Sequence, residues 1–285
     1  MIEKEIVNTP LKIQGKKTKL IPNIIGLANE IIENNNNIHT WIEPFLGSGI
    51  VAFNCPKQIK QVICGDINPH VIRLYEMLRD NKDLPGYARE RLLCMSDLLK
   101  DRGEEYYLSI RNSFNKDKEI INFLFLSRTC FNGMMRFNKK GEWNLPFCKN
   151  NDKLSEKLIN ELYDEMVALQ KIMKEKEFLF FCQSYEETLK YADSNSIIYC
   201  DPPYYGLNTT YYEKWGKDFE IALNKELNKY PSSKIISTWK TNGSIENEMI
   251  PLYWSDYNIK LIEHQYIVGP KKENRPKVIE ALLFK

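Results

Sequence analysis

Ile197-Ile198-Tyr199-Cys200-Asp201-Pro202-Pro203-Tyr204 joins an apolar run to an acid, two prolines and an aromatic residue. The run reads as a short buried strand, and the prolines stop it abruptly at the edge of a sheet. Open α/β sheets bind their ligands at such edges. Proline has a fixed φ and no backbone donor, so the turn can present carbonyl oxygens as acceptors, with a carboxylate and a flat ring beside them. Two acceptors and an aromatic face are what an exocyclic amine on a planar ring needs. Taken alone, the tetrapeptide also fits a plain strand followed by a Pro-rich turn.

A second stretch narrows the choice. Trp41-Ile42-Glu43-Pro44-Phe45-Leu46-Gly47-Ser48-Gly49-Ile50-Val51-Ala52-Phe53 reads as a strand, a glycine turn and the start of a helix. Gly47 and Gly49 allow positive φ and close approach of a ligand, next to a helix N-terminus. The third glycine of the dinucleotide fingerprint is missing. Gln61 to Asn68 then supplies another apolar strand ending in an acid, Asp66, placed to accept hydrogen bonds from ribose hydroxyls. A nucleoside cofactor is the expectation.

With these residues in view, the chain resembles the Dam-type DNA adenine-N6 methyltransferases, the group of the DpnII and EcoRV modification enzymes. The shared order is a lysine-bearing N-terminal segment, Phe-x-Gly-x-Gly, an acidic strand end, an insertion and Asp-Pro-Pro-Tyr, and it runs here from about Leu11 to Asp201. Phe131-Asn132-Gly133-Met134-Met135-Arg136-Phe137-Asn138-Lys139-Lys140-Gly141-Glu142-Trp143-Asn144-Leu145-Pro146-Phe147 is similar to the recognition-loop signature of that family, and is far more specific than the tetrapeptide. The resemblance covers almost the whole chain. It implies an α/β fold: a Rossmann-like S-adenosylmethionine-dependent methyltransferase core with an inserted, mainly helical DNA-recognition domain carrying a β-hairpin. Residues 1–80 and 171–285 would form the core, and 81–170 the insertion.

Carried over residue by residue, the resemblance implies that Asp201, Pro202, Pro203 and Tyr204 are catalytic. It assigns to the cofactor Ile13, Gly15 and Lys17 of the N-terminal segment; Glu43, Pro44, Phe45, Gly47 and Gly49; Asp66, Ile67 and Asn68; and Ser184 and Tyr185, with Asp201 shared. Ile13 stands where the Dam enzymes have tryptophan, and Lys16 replaces a second glycine. Ser184 reads equally as a helix cap. To DNA it assigns Arg128, Phe131, Asn132, Arg136, Asn138, Lys139 and Lys140. Arg136 matches the base-reading arginine, and an arginine pairs bidentately with guanine O6 and N7. Lys139 and Lys140 suit phosphate better than bases. The alternative is a hairpin whose aromatic residues pack its own base and whose Lys139-Lys140-Gly141 is a solvated turn.

Composition agrees with this. The chain has 285 residues, 43% hydrophobic and 27% charged, which suits an ordinary globular protein of one or two domains. Net charge is only +2, but Arg128 to Lys149 holds five basic residues against the single acid Glu142, on a stretch rich in aromatic residues. Met1 to Glu5 lacks an apolar signal-peptide region, and no run approaches a membrane span. The seven cysteines, at 55, 64, 94, 130, 148, 182 and 200, form no Cys-x-x-Cys pair. They argue against zinc and against a disulfide framework, and fit a reduced cytoplasm. His39, His70 and His264 have no metal-ligand spacing and read as structural, so no metal is expected.

Periodicity gives helices over about Lys19–Ile32, His70–Arg79 and Phe219–Lys229. Residues from about 82 to 170 lose the strand pattern and become mainly helical. Strand patterns return at Phe178–Cys182, Ser196–Cys200 and Lys234–Thr238, and the end, Ile259–Val268 with Lys277–Phe284, suggests a hairpin or a pair of closing strands. The function implied by the resemblance is site-specific methyl transfer from S-adenosylmethionine to adenine N6 in double-stranded DNA, by base flipping and in-line attack. It allows an orphan enzyme or a restriction-modification system with an independently acting endonuclease. Cytosine-N4 chemistry is similar, but the aspartate and tyrosine favour adenine by resemblance. An RNA or protein amine methyltransferase and a catalytically idle DNA-binding module are the alternatives. A GATC target does not follow, because Ser237–Lys240 and Glu263–Tyr266 depart from Dam.

Overall fold

Strictly apolar runs make strands buried on both faces, and the centre of this fold is built from them. The computed structural model describes residues 6–13, 15–131, 135–149, 154–206, 215–264 and 278–285. Eight strands form one sheet: β1 (Thr40–Glu43), β2 (Gln61–Asp66), β3 (Glu177–Cys182), β4 (Ser196–Cys200), β5 (Ser233–Asn242), β6 (Ile245–Glu246), β7 (Asn258–His264) and β8 (Val278–Phe284). Their order is β3-β2-β1-β4-β5-β8-β7, with β6 paired to the far end of β5. β1 to β5 run parallel; β8 is antiparallel to both β5 and β7, giving the expected pair of closing strands.

Alternation along each strand sorts the core into two layers. Trp41, Val62, Ile197, Tyr199 and Ile235 face one side, and Ile42, Ile63, Ile198, Cys200 and Ile236 face the other. Helices cover both: α1 (Ile21–Asn34), α2 (Pro69–Asp80), α3 (Leu84–Asp117), α4 (Ile120–Thr129) and α5 (Glu156–Glu175) belong to the first layer, and α6 (Tyr185–Leu189), α7 (Lys217–Leu227) and α8 (Met249–Tyr253) to the second. The chain moves outward from β1 through β2 to β3, then returns to β4 on the other side of β1. That reversal makes β1/β4 a topological switch point, and the carboxyl ends of the parallel strands flank a crevice there.

The helical region expected to form an insertion packs continuously with the sheet. One buried cluster joins Trp41, Val62 and Phe178 of the sheet to Phe114, Phe123, Trp143 and Leu162 of the helical region. α3 changes direction at Gly103 (φ 53°, ψ −127°), and α5 packs on α2 and α3 before running directly into β3. Residue 171 lies inside α5.

One local expectation needs correction. No α-helix follows the glycine turn; the segment forms only a 3-10 turn at Ala52–Asn54. Asn54 explains the stop: its Nδ2 donates to Ile50 O and Val7 O, each at 2.8 Å, and its Oδ1 accepts from Val7 N at 3.0 Å. Pro56, two residues on, cannot extend a helical ladder. The helix N-terminus expected beside Gly47 and Gly49 is therefore absent.

β2 meets α6 closely enough to demand glycine. A Cβ on Gly65 would lie 2.9 Å from Thr188 Cβ, with the threonine hydroxyl closer still. Gly65→Ala should cost about 1 to 3 kcal/mol of stability through overpacking, and Thr188→Ala in the same chain should recover part of the loss; urea unfolding of both variants checks this.

Candidate active site

The turn after β4 holds the central group. Lys17, from the segment leading into the 3-10 turn Thr18–Leu20, places Nζ 3.0 Å from Asp201 Oδ1 and donates to Gly15 O at 3.0 Å. The same ammonium lies 4.7 Å from the centroid of the Tyr204 ring, a cation–π contact. Lys17 is 6% exposed, whereas the Asp201 side chain keeps 23% of its surface open to the crevice. Burial pushes the Asp201 carboxyl up to about 6; Lys17 pulls it back and Glu280 adds to the rise. Pro202 is buried, and Pro203 and Tyr204 are half-buried.

Glu43 ends β1 beside this group. It is 2% exposed, accepts a hydrogen bond from Trp41 Nε1 at 3.1 Å, and burial holds its carboxyl well above the ordinary range. Pro44 is buried behind it, and Phe45 stacks on Tyr185 at 5.4 Å and meets Trp215 edge-on at 5.7 Å. Ser184 caps α6, its hydroxyl accepting from Glu187 N at 3.4 Å, so the capping reading is realised there.

The acid of β2 organises the glycine turn. Asp66 Oδ2 accepts from Gly47 N and Oδ1 from Asn68 N, both at 2.8 Å, and Leu46 N donates to Gly65 O at 2.9 Å. Gly47 and Gly49 take φ of 49° and 69°, conformations that L side chains rarely adopt. Burial raises the Asp66 carboxyl, and the two backbone donors oppose that rise. Ile67, next in the chain, is 61% exposed at the mouth of the crevice, while Asn68 caps α2 by accepting from His70 N at 3.0 Å. Ile13 packs half-buried on the core. Lys16, which replaces a glycine, donates to Asn8 Oδ1 at 2.5 Å and Thr9 O at 3.1 Å.

The DNA-assigned residues divide. Arg136 is exposed, with Nε donating to Asn144 Oδ1 at 3.1 Å; Lys139 and Lys140 are exposed at a turn; Phe131 is 48% exposed. Asn132 lies outside the described residues. Asn138 is a turn organiser: Oδ1 accepts from Lys140 N and Glu142 N, and Nδ2 donates to Glu142 Oε2 at 2.7 Å. The hairpin consists of the antiparallel bridges Cys130–Phe147 and Phe137–Trp143, and Trp143 and Phe137 pack edge-on beneath it. Arg128 points inward instead, donating to Pro10 O at 2.6 Å and pairing with Glu165 at 3.4 Å.

Two contacts escaped the sequence reading. Glu280 of β8 is fully buried and accepts a hydrogen bond from Tyr204 Oη at 2.7 Å; Trp239 of β5 donates through Nε1 to Tyr205 O at 2.8 Å. The signal was a lone acid in the apolar run Val278-Ile279-Glu280-Ala281-Leu282-Leu283-Phe284, since a fully buried glutamate needs a partner. Among the described residues no cluster of histidine, cysteine or acidic side chains is arranged to hold a metal, and no helix is long and apolar enough to cross a membrane.

A sheet of this order, with a glycine turn, a strand-end acid and a half-buried Asp-Pro-Pro-Tyr at one edge, defines a Rossmann-like methyltransferase core. Residues 14–268 match the model of the D12 class N6 adenine-specific DNA methyltransferases, and the chain belongs to that family. It is 30% identical to the type II methyltransferase M.MjaIII of Methanocaldococcus jannaschii over 96% of this chain and 97% of that one. Its identity to the DNA adenine methylase of Haemophilus influenzae is 30%, over 95% of this chain and 91% of that one. Identity to the DNA adenine methylase of Vibrio cholerae is 34%, over 70% and 66%.

Because Arg128 and Glu165 are 18% and 15% exposed, removing Arg128 leaves the Glu165 charge with only the Asn8 amide and the Lys16 ammonium to offset its burial. Arg128→Ala should lower stability by about 2 to 4 kcal/mol, while Lys139→Ala should change it by less than about 0.5 kcal/mol; urea unfolding of the two variants separates a structural arginine from a surface lysine.

Proposed function

We propose that this adenine-specific DNA methyltransferase transfers the methyl group of S-adenosylmethionine to N6 of an adenine rotated out of duplex DNA, by direct in-line attack. The observation that carries this reading is the Asp201 carboxylate, 3.0 Å from the Lys17 ammonium and followed by Pro202 and the Tyr204 ring. Adenine N6 is a poor nucleophile because its lone pair is delocalised into the ring. Acceptance of its two hydrogens by the Asp201 carboxylate and the Pro202 carbonyl lets the nitrogen pyramidalise and aim that lone pair, which is positional and electrostatic catalysis. Lys17 keeps the carboxylate charged despite burial. Tyr204 offers the face on which an extruded base stacks.

The residues fit the cofactor. Asp66 is a strand-end carboxylate suited to ribose hydroxyls, Gly47 leaves open space beside it where a side chain would stand, and Ile67 presents an exposed apolar surface next to that acid. Ile13, Gly15, Lys17, Glu43, Pro44, Phe45, Asn68, Ser184 and Tyr185 complete the proposed cofactor set, Phe45 and Tyr185 through their stacked rings and Asn68 and Ser184 through the helix starts they cap. When bound, S-adenosylmethionine supplies an electrophilic methyl group. Residues 81–170 are proposed as the recognition insertion on a core of 1–80 and 171–285, with Arg136 reading a base edge, Phe131 and Asn132 near the extruded base, and Lys139 and Lys140 on phosphate. An independently acting restriction endonuclease as companion agrees with relatives named type II methyltransferases, and the cytoplasm is the expected location.

The protein should convert adenine to N6-methyladenine in duplex DNA with labelled S-adenosylmethionine, and its single-turnover rate should fall as pH drops through about 6, where Asp201 gains a proton and loses an acceptor site. Product found only in RNA or protein would overturn the reading. Arg136→Ala should cost about 1 to 3 kcal/mol on the best site and relax one base position, whereas Lys139→Ala should weaken every sequence alike and flatten the salt dependence. Methylation of a site library at two salt concentrations distinguishes them.

A further inference from the structure

β5 outruns its neighbour: register with β4 ends at Cys200–Ile236, but β5 continues against β8 to Asn242. The overhang borders the edge at which the Asp201–Tyr204 turn leaves β4. Within it Trp239 and Glu280 are direct register partners, immediately before the register shifts between Trp239 and Thr241. Opposed residues of an antiparallel pair share a face of the sheet. From that face Trp239 Nε1 donates to Tyr205 O at 2.8 Å, and Glu280 Oε2 accepts from Tyr204 Oη at 2.7 Å, so consecutive residues of the turn are held by one cross-strand pair.

Glu280 is 0% exposed in a strand that is otherwise apolar. Removing a carboxylate from water is costly, and an apolar side chain of similar volume would serve stability as well or better. What the glutamate adds is a fixed acceptor for a tyrosine whose ring already faces the Lys17 ammonium at 4.7 Å. We infer that Glu280, backed by Trp239, is a positioning residue of methyl transfer, holding the Tyr204 ring at a set angle so that the target base meets a preformed aromatic face. The inference rests on the adenine-methyltransferase reading. Glu280 acts on Asp201 as well: the titratable and charged groups coupled to that carboxylate are Lys17 from the N-terminal segment, Glu43 of β1, Tyr199 and Cys200 of β4, and Glu280 of β8, of which Glu280 works against the charge that Lys17 supports.

The test is a double-mutant cycle, with tritiated S-adenosylmethionine and genomic DNA lacking adenine methylation as substrates. Glu280→Leu and Tyr204→Phe should each lower kcat by about tenfold or more without changing cofactor Kd, and the double variant should be no slower than the slower single variant. Glu280→Gln keeps an acceptor for the hydroxyl, so it should retain most of kcat and shift the acid limb of the pH profile to lower pH. Losses that multiply in the double variant overturn the inference. So does a Glu280→Gln protein that binds cofactor normally yet is as slow as Glu280→Leu with its acid limb unmoved, and this arm decides the matter if Glu280→Leu fails to fold. A wild-type protein that transfers no methyl group to adenine refutes the proposed function, and this inference falls with it.

Discussion

A carboxylate in a place that disfavours charge is the constraint around which this molecule is arranged. Asp201 sits where burial drives its carboxyl upward, next to a second buried acid, Glu43, and within the field of a third, Glu280. An ionised acid survives such surroundings only with a close cation. Lys17 supplies it from a segment remote in sequence, and its ammonium also touches the Tyr204 ring and the Gly15 carbonyl. The charge on Asp201 therefore depends on the placement of the N-terminal segment.

That segment is in turn fixed by helices α4 and α5. Arg128 of α4 donates to Pro10 O and pairs with Glu165 of α5; the Asn8 side chain donates to the same glutamate, and Lys16 reaches back to Asn8 and Thr9. Burial lowers Lys16 to about 8 and raises the Glu165 carboxyl, so the cluster is held by geometry and mutual compensation more than by intrinsic comfort. The lysine that keeps Asp201 charged and the helices that carry the exposed Arg136 loop thus share one mechanical unit. On the opposite side of the turn, β8 and the overhang of β5 complete the frame.

Much of this was legible in the sequence. The central parallel strands were marked by short apolar runs ending in acids or turns, because a strand buried on both faces leaves no other pattern, while the edge strand β3 showed as an aromatic run with a half-buried alternation. The strand-end places of Asp66 and Asp201 and the positive-φ turn at Gly47 and Gly49 were readable because backbone geometry restricts such positions to few residue types. What stayed hidden depended on contacts between distant segments. Arg128 looked like part of a basic surface, yet its partners Pro10 and Glu165 lie far from it in sequence. Asn138 looked like a DNA contact, yet both its polar atoms close a local turn. The helix expected after Gly49 gave way to a 3-10 turn once Asn54 found Val7. Glu280 was visible as an acid in an apolar strand, but only the sheet register brings it to Tyr204.

The proposed role of the Asp201 carboxylate as acceptor for the target amine can be read out by single-molecule sequencing of DNA from cells expressing the wild-type chain or Asp201→Ala, in a host without adenine methylation of its own. The expected result is N6-methyladenine confined to one short sequence context in the wild type and none in the variant, with cofactor binding by the purified variant preserved. Equal modification in both strains, or modification of another base, would contradict it.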